Sequence, residues 1–316
     1  MSRSRFPSAA SYSVVAPFLL VASLAVLGCT DANGRAAAGA TPPLERGKFY
    51  IELTENLEGR VPEDEIAEFL ITKQLLLHGF HRVDKKEEAR FVITGSLEYT
   101  YHKELTFDYG GTSQHLEHQF KALAELTLTD TQAAADSELR DEWFDFPEPG
   151  LINGRTDRKD ARRDIRRLAA TKLSERIVNG KILQNKACRD LEYALGDPFS
   201  DRTFNDVISS YVKLGRPAVP YLLMLLLDDR PVRLSGEYPG SKKEGAEPVL
   251  YYHIADKALG EILMRESGLD LESTETYLKR VITGWYWAWE DAQGIPKEFR
   301  TLPEKRADKV PAPVGG

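Results

Sequence analysis

Alternating apolar and polar residues mark the first strand of the chain. Over Lys48–Thr54, Phe49, Ile51 and Leu53 alternate with more polar side chains, and a period of two is typical of a strand with one buried face. Gly59 ends the pattern. The segment therefore predicts a half-buried strand at the start of the folded region.

A helical period follows this strand. Pro62 suits the first position of a helix, and the three acidic residues after it favour the positive end of the helix dipole. Gly79 marks the predicted end of the helix. The predicted buried stripe consists of Ile66, Phe69, Leu70 and Leu77.

Four further strands are predicted after this helix, and the first is a short one over Phe80–Val83. β-Branched and aromatic residues are dense over Arg90–Phe107, which predicts one long strand with Gly95 as a bulge or a bend. A turn at Asp108–Gly111 leads to a second long strand, and a last one is predicted over Leu139–Phe146. The apolar face of the second long strand consists of Phe120, Ala122, Ala124, Leu126 and Leu128.

A second amphipathic helix is predicted over Ala161–Val178, ending before Gly180. Its apolar stripe consists of Ile165, Leu168, Ala169, Leu173 and Ile177. Two helices on one face of a mostly antiparallel sheet would bury both stripes. The predicted fold class of residues 47–182 is therefore α+β.

The second half of the chain has a helical pattern. A connector is predicted over Asp190–Gly196, and a polar insertion over Ser235–Pro248. Helices are predicted over Asp201–Leu214, Ala218–Leu227, Val249–Met264 and Leu271–Trp289. Because the segments from Ala218 and from Ala255 resemble HEAT-repeat helices, we predict a small all-α HEAT-like domain over 196–292. A proline-rich, disordered tail is expected over 293–316.

The N-terminal residues have the order of a secretory signal. Arg3 and Arg5 precede an apolar run, Val14–Leu27, which at about 14 residues is shorter than the roughly 20 needed to span a bilayer. Val26–Cys29 resembles a bacterial lipobox, in which the cysteine is acylated and becomes the mature N-terminus. We expect a signal peptide over 1–28, lipidation of Cys29 and a flexible tether over 29–46. Ordinary secretion and an uncleaved anchor are the alternatives.

The α+β region also resembles a known family. Glu88–Leu97 follows a predicted helix that ends in Leu-His-Gly-Phe, and a later helix closes with Leu173–Val178. This pattern over about 45–180 resembles the LPS-assembly lipoprotein (LptE) family. The resemblance implies an acylated protein with two helices on a sheet, a role in lipopolysaccharide transport and an outer-membrane β-barrel as partner. The N-terminal domain of TolB-like proteins and periplasmic activators of peptidoglycan synthases share much of the pattern.

Composition restricts the classes of function. The chain has 316 residues, of which 42% are hydrophobic, and its net charge of −7 argues against general nucleic-acid binding. With Cys29 acylated, Cys188 would be without a partner for an intrachain disulfide. We expect Cys188 to be a part-buried thiol, with an intermolecular disulfide as the alternative.

The sequence offers little for catalysis. It has no phosphate loop, dinucleotide fingerprint or nucleophile elbow. His115 and His118 have an odd spacing that places them on opposite faces of a strand, and His102 comes from the neighbouring strand. We therefore expect no metal, no cofactor and no enzymatic activity.

A basic run is the sharpest candidate for a ligand site. It consists of Arg155, Arg158, Lys159, Arg162, Arg163, Arg166 and Arg167. On a membrane-tethered protein, such arginines could bind anionic ligands such as lipid phosphates bidentately. The alternative is a solvated helix face with Asp–Arg pairs.

Tryptophans end the last predicted helix. Trp285 and Trp289 are four residues apart and share a face, whereas Trp287 points elsewhere. Core packing is one interpretation of the pair. A partner-docking patch is the other, because tryptophan is also common at interfaces.

Together these features predict a non-enzymatic, lipid-anchored envelope assembly factor that docks an outer-membrane β-barrel and contacts lipopolysaccharide. The alternative is a tethered adaptor that binds a periplasmic protein or activates a cell-wall enzyme through the HEAT-like region. Thr30 follows the cysteine where aspartate would favour inner-membrane retention. We therefore expect the periplasmic face of the outer membrane.

Overall fold

A computed structural model describes residues 43–145, 157–235, 238 and 248–301. The strands are β1 (Gly47–Leu57), β2 (Phe80–Arg82), β3 (Phe91–Tyr109), β4 (Thr112–Asp130) and β5 (Asp141–Asp145). The helices are α1 (Ile66–Leu77), α2 (Arg158–Asn179), α3 (Lys186–Gly196), α4 (Phe204–Leu214), α5 (Val219–Leu225), α6 (Tyr251–Leu263) and α7 (Glu275–Gln293). The predicted signal peptide, Cys29 and Arg155 lie outside the described residues.

The strands form one five-stranded sheet in the order β2-β1-β3-β4-β5. β1 is parallel to β2 and β3, because α1 carries the chain back before β2 begins. The longest pairing, β3 with β4, is antiparallel, as is β4 with β5. The fold class is α+β, as predicted, with a helical C-terminal region.

One face of the sheet packs against α1 and α2 and forms the first core. The predicted apolar face of β4 is confirmed, since all five of its residues are buried. The stripe on α2 is confirmed at Ile165, Ala169, Leu173 and Ile177, which have no exposed surface, while Leu168 is half-buried. Alternation of period two and a stripe of period 3.6 therefore located this core correctly.

Helix α1 differs from its prediction at both its start and its buried face. It begins at Ile66 rather than Pro62, because the Glu55 carboxylate accepts a hydrogen bond from the Ala67 backbone N–H at 2.9 Å. Its buried residues are Ala67, Ile71, Thr72, Leu75 and Leu77, whereas Phe69 is 39% exposed. A helix that packs on the sheet, on α2 and on α7 is apolar on several sides, so its pattern does not single out one face.

Gly95 is not a bulge. It sits in regular register between Leu53 and Leu126, and a Cβ atom there would lie 2.1 Å from the Glu125 carbonyl oxygen. The residue is a glycine because neighbouring backbone approaches closely. The register shifts fall farther along the hairpin, at Tyr101/Lys103 and at Leu105/Thr106.

The helices after α2 enclose a second core. The predicted connector over Asp190–Gly196 is wrong, because these residues belong to α3. Asn185 caps this helix by accepting a bond from the Cys188 N–H at 3.3 Å, and Leu191 and Leu195 are buried. The polar residues between the apolar ones form the exposed side of a short helix rather than a loop.

The end of α1 joins the two cores. The indole nitrogen of Trp289 donates to the Leu77 carbonyl oxygen at 2.7 Å, and the His78 ring meets Tyr221 edge-on at 4.9 Å. The last residues of the predicted tether are also bound here, since the Leu44 N–H donates to Gln293 Oε1 at 3.0 Å.

The start of the predicted tail packs on the fold. Ile295 is buried, and the Thr301 N–H donates to Glu290 Oε1 at 2.8 Å. The rest of the predicted tail, 302–316, lies outside the described residues. Of the described helices, none combines the length and apolarity needed to cross a bilayer.

Candidate docking surface

The hairpin of β3 and β4 extends beyond the rest of the sheet. β1 pairs with β3 only as far as Tyr99, and β5 pairs with β4 only as far as Glu125. From Thr100 to Tyr109, β3 pairs with β4 alone within the described part of the chain. At 3.3 Å per residue this two-stranded ribbon is about 33 Å long.

A glycine pair closes the tip of this ribbon. Gly110 and Gly111 both have positive φ, 61° and 81°, as the two-residue hairpin turns with the right twist require. Two-stranded ribbons are marginally stable in water by themselves. A ribbon of this length therefore needs support at its base.

Two arginines of the predicted basic run supply that support. The Arg158 guanidinium lies 4.3 Å from the Tyr101 ring centre, and that of Arg162 lies 6.0 Å from the Phe120 ring centre. Both guanidinium groups are ion-paired with Glu58. Burial alone would raise the pKa of Glu58, but its hydrogen bonds to the two arginines lower it.

Arg166 lies deeper, and its charge is satisfied within the protein. It is 4% exposed, and its guanidinium is 2.9 Å from Glu55 Oε2 and 2.5 Å from Asp64 Oδ1. Burial opposes the charged form, but the bonds to Glu55 and Asp64 raise the pKa of Arg166. Arg166 therefore joins α2 to β1 and to the segment that precedes α1, and it is not part of an exposed cationic face.

The other described basic residues of the run are exposed. Arg163 pairs with Asp160 at 2.9 Å, as the Asp–Arg alternative predicted. Lys159 and Arg167 have no ion pair with the described carboxylates within 4.0 Å. An anion-binding face remains a prediction, and among the described residues of the run its unpaired cations are Lys159 and Arg167.

The tryptophan pair belongs to the core. Trp285 and Trp289 are 2% and 0% exposed, so the interpretation as a docking patch does not hold for either indole. Trp285 Nε1 donates to Asp256 Oδ1 at 2.7 Å, and burial raises the pKa of that carboxyl group despite the bond. Trp287 is 41% exposed and points elsewhere, as predicted.

Sequence reasoning missed a groove on α1. Its volume is about 670 Å³, and its walls include Ile66, Phe69 and Leu70 from the stripe that was predicted to be buried. The Phe299 ring stacks on Phe69 with 5.1 Å between ring centres. The stripe is therefore apolar but only partly covered. The local pattern of residues could not predict its contact with Phe299, which is distant in the sequence.

The remaining candidate groups form no catalytic arrangement in the part of the chain that is described. Cys188 is buried, and burial raises the pKa of its thiol to about 12. Tyr101 Oη lies 3.3 Å from His118 Nδ1, while His102 is exposed on the register shift. Within the described residues, no group of three or more His, Cys, Asp and Glu side chains could hold a metal ion.

Comparisons with known proteins leave the family open. No protein-family model matches the chain, and no curated protein matches it. Among solved structures it is similar to a protein described as a neuraminyllactose-binding hemagglutinin homologue from Helicobacter pylori, with a TM-score of 0.32 and 15% identity over 45% of this chain and 89% of that one. It is also similar to a minor lipoprotein from Acinetobacter baumannii, with a TM-score of 0.25 and 15% identity over 42% and 90% of the two chains. These TM-scores are too low for either likeness to carry an argument about function.

Proposed function

We propose that this protein is a lipid-anchored, non-enzymatic docking protein of the bacterial envelope that binds an outer-membrane β-barrel through the β3–β4 ribbon. The observation that carries the proposal is the ribbon itself, which extends about 33 Å past its neighbouring strands. The lipobox-like segment ending at Cys29 would hold the ribbon near a membrane. Lipopolysaccharide assembly is the process that the sequence resemblance implies.

Contacts at the base of the ribbon hold it in one orientation relative to the sheet. Tyr101 and Phe120 face each other across the two strands at 5.4 Å, and Arg158 and Arg162 lie over them. Because Glu58 fixes both arginines, the ribbon is braced from α2. A braced arm presents its edges to a partner at a lower entropic cost than a free hairpin.

Site-specific crosslinking tests the proposal on the full chain. A photo-crosslinking amino acid replaces Thr106, which is exposed on β3, and adducts are identified after solubilising native membranes. The expected adduct contains an integral outer-membrane β-barrel. The matched control replaces Ser209, which is exposed on α4.

The two positions separate the competing functions. Adducts from Ser209 alone, with soluble periplasmic proteins, would support the tethered adaptor and contradict docking through the ribbon. Removing the helical region is a poorer test, because Trp289 bonds to α1 and its loss would damage the first core as well.

A further inference from the structure

The outer edge of β1 is only partly paired. Successive N–H and C=O groups of a strand point to alternate sides. The Lys48 carbonyl bonds towards β3 through Arg90, whereas the Phe49 carbonyl accepts from the Val83 N–H at 2.9 Å on the outer side. The Leu57 N–H also bonds on the outer side, to the Arg60 carbonyl at 2.7 Å. Odd-numbered residues between Phe49 and Leu57 therefore direct their backbone groups outward.

Three of these residues have no backbone partner on that edge among the described residues. They are Ile51, Leu53 and Glu55, and none of their N–H or C=O groups bonds to another described residue on that edge. β2 ends at Arg82, and its pairing with β1 extends only as far as Phe49. The result is a gap of about 26 Å between the end of β2 and the turn at Arg60.

The flanks of this gap determine what can fill it. Consider a second copy whose β1 pairs antiparallel with this edge. The β2 strand of each copy would then lie where the Leu57–Arg60 turn of the other copy lies. Those elements lie in the plane of the sheet, so two copies would collide. An isolated extended segment has no such flanks and fits between them.

The predicted tether is a poor occupant because it is rich in alanine and glycine, which are depleted in strands. We propose that the gap takes an extended segment of a partner protein as an added strand, a form of β-augmentation. This inference rests on the proposed docking function and gives the partner a second contact, separate from the ribbon.

Side chains beside the gap indicate the chemistry of that segment. Glu52 and Thr54 are exposed on the outer face of the sheet, whereas Ile51 and Leu53 turn towards the helices and pack on the first core. A basic residue beside Glu52 would form a favourable cross-strand pair. The segment should therefore alternate basic residues on the outer face with apolar residues on the helix face.

Amide hydrogen exchange of the full chain tests the proposal. The probe is an acetylated six-residue peptide of alternating lysine and valine, and its control has proline in place of the central valine. Saturation with the probe should slow exchange at Ile51, Leu53 and Glu55 by about tenfold or more, while the control peptide leaves it unchanged. Unchanged exchange at millimolar probe would overturn the inference, as would protection of the ribbon instead.

Matched charge reversals test the segment's polarity. Glu52→Lys should weaken binding of the lysine peptide about threefold or more, because it replaces attraction by repulsion. Glu125→Lys, on the same outer face but on β4, should leave binding unchanged. Equal effects of both variants would overturn the assignment of a basic segment. Crosslinking from Thr106 to a barrel without any protection of β1 would contradict this inference and leave the proposed function in place.

Discussion

Arg166 Nε lies 2.9 Å from Glu55 Oε2, and the side chains of both residues are at most 7% exposed. The other oxygen of Glu55 accepts the Ala67 N–H at the start of α1. Removing the arginine would leave a buried carboxylate without its counter-charge. We expect Arg166→Met to lower the free energy of unfolding by about 3–5 kcal/mol, measured by urea denaturation. Arg163→Met, at an exposed pair, should cost no more than about 0.5 kcal/mol; equal losses would contradict the special role of Arg166.

One of the contacts that join the two cores is the hydrogen bond from the Trp289 indole. Trp289→Phe keeps an aromatic ring but removes the donor to the Leu77 carbonyl, which then lies buried without its partner. We expect a loss of about 1–3 kcal/mol in the free energy of unfolding. Trp287 is the matched control, because its N–H bonds to Thr301 at an exposed site. If Trp287→Phe costs as much, the buried bond is not the cause.

His78 should make stability fall at acidic pH. Burial, with a smaller contribution from the Arg46 charge, lowers the pKa of His78 to about 3, whereas an unfolded histidine has a pKa near 6.5. Below about pH 6.5 the unfolded chain therefore binds a proton that the folded chain excludes. As the pH falls from about 6.5 towards 3, the free energy of unfolding should decrease by up to roughly 1.4 kcal/mol per pH unit. Above about pH 6.5, His78 should not affect it.

Paired denaturation series at pH 7 and pH 5 measure this contribution. His78→Gln removes the titrating group and should flatten the pH dependence, while His102→Gln, at an exposed position, should retain it. A wild-type slope that persists in His78→Gln would assign the acid sensitivity to other groups.

Glu58 should control the order of the ribbon. Glu58→Ala removes the carboxylate that holds Arg158 and Arg162. We expect amides around Tyr101 and Phe120 to exchange about fivefold faster or more, with little change in the sheet core, because the arginines lose their fixed position over the rings. Glu98→Ala, at an exposed position on β3, is the control. Unchanged exchange in Glu58→Ala would mean that the ribbon does not need the brace.

Lipidation is tested at Cys29. Cys29→Ser removes the thiol that the lipobox presents for acylation, and it should move the protein from the membrane to the soluble periplasmic fraction. Labelling with a clickable fatty acid should be lost at the same time. A variant that stays in the membrane fraction would indicate an uncleaved anchor instead.

How much the sequence predicted depends on the range of the interactions involved. The face of β4 and the stripe on α2 follow from a local period, so reading along the chain located them. The contacts of the basic run could not be predicted in this way. Arg166 pairs with Glu55, and Arg158 with Glu58, about a hundred residues away in the sequence. A local pattern shows that these arginines share a helix face, but not that carboxylates from another element meet them there.

Helix α1 shows the same limit for apolar residues. Its sides contact different elements, and Phe69 stacks on Phe299 from the far end of the described chain. Helix α3 was missed for a different reason, since only Cys188, Leu191 and Leu195 of its 11 residues are buried. The type of α1 was nevertheless predicted correctly, and only its start and its buried face were wrong.

The bond between Leu44 and Gln293 has a mechanical consequence. If the chain is anchored through Cys29, any pull from the membrane enters the fold at Leu44 and passes along β1. The parallel ladder with β3 then bears the load in shear, with all of its rungs sharing the force at once. Such an arrangement resists extraction far better than a ladder that opens one rung at a time. The anchor would thus place a pull from the membrane along the β1–β3 ladder rather than across it.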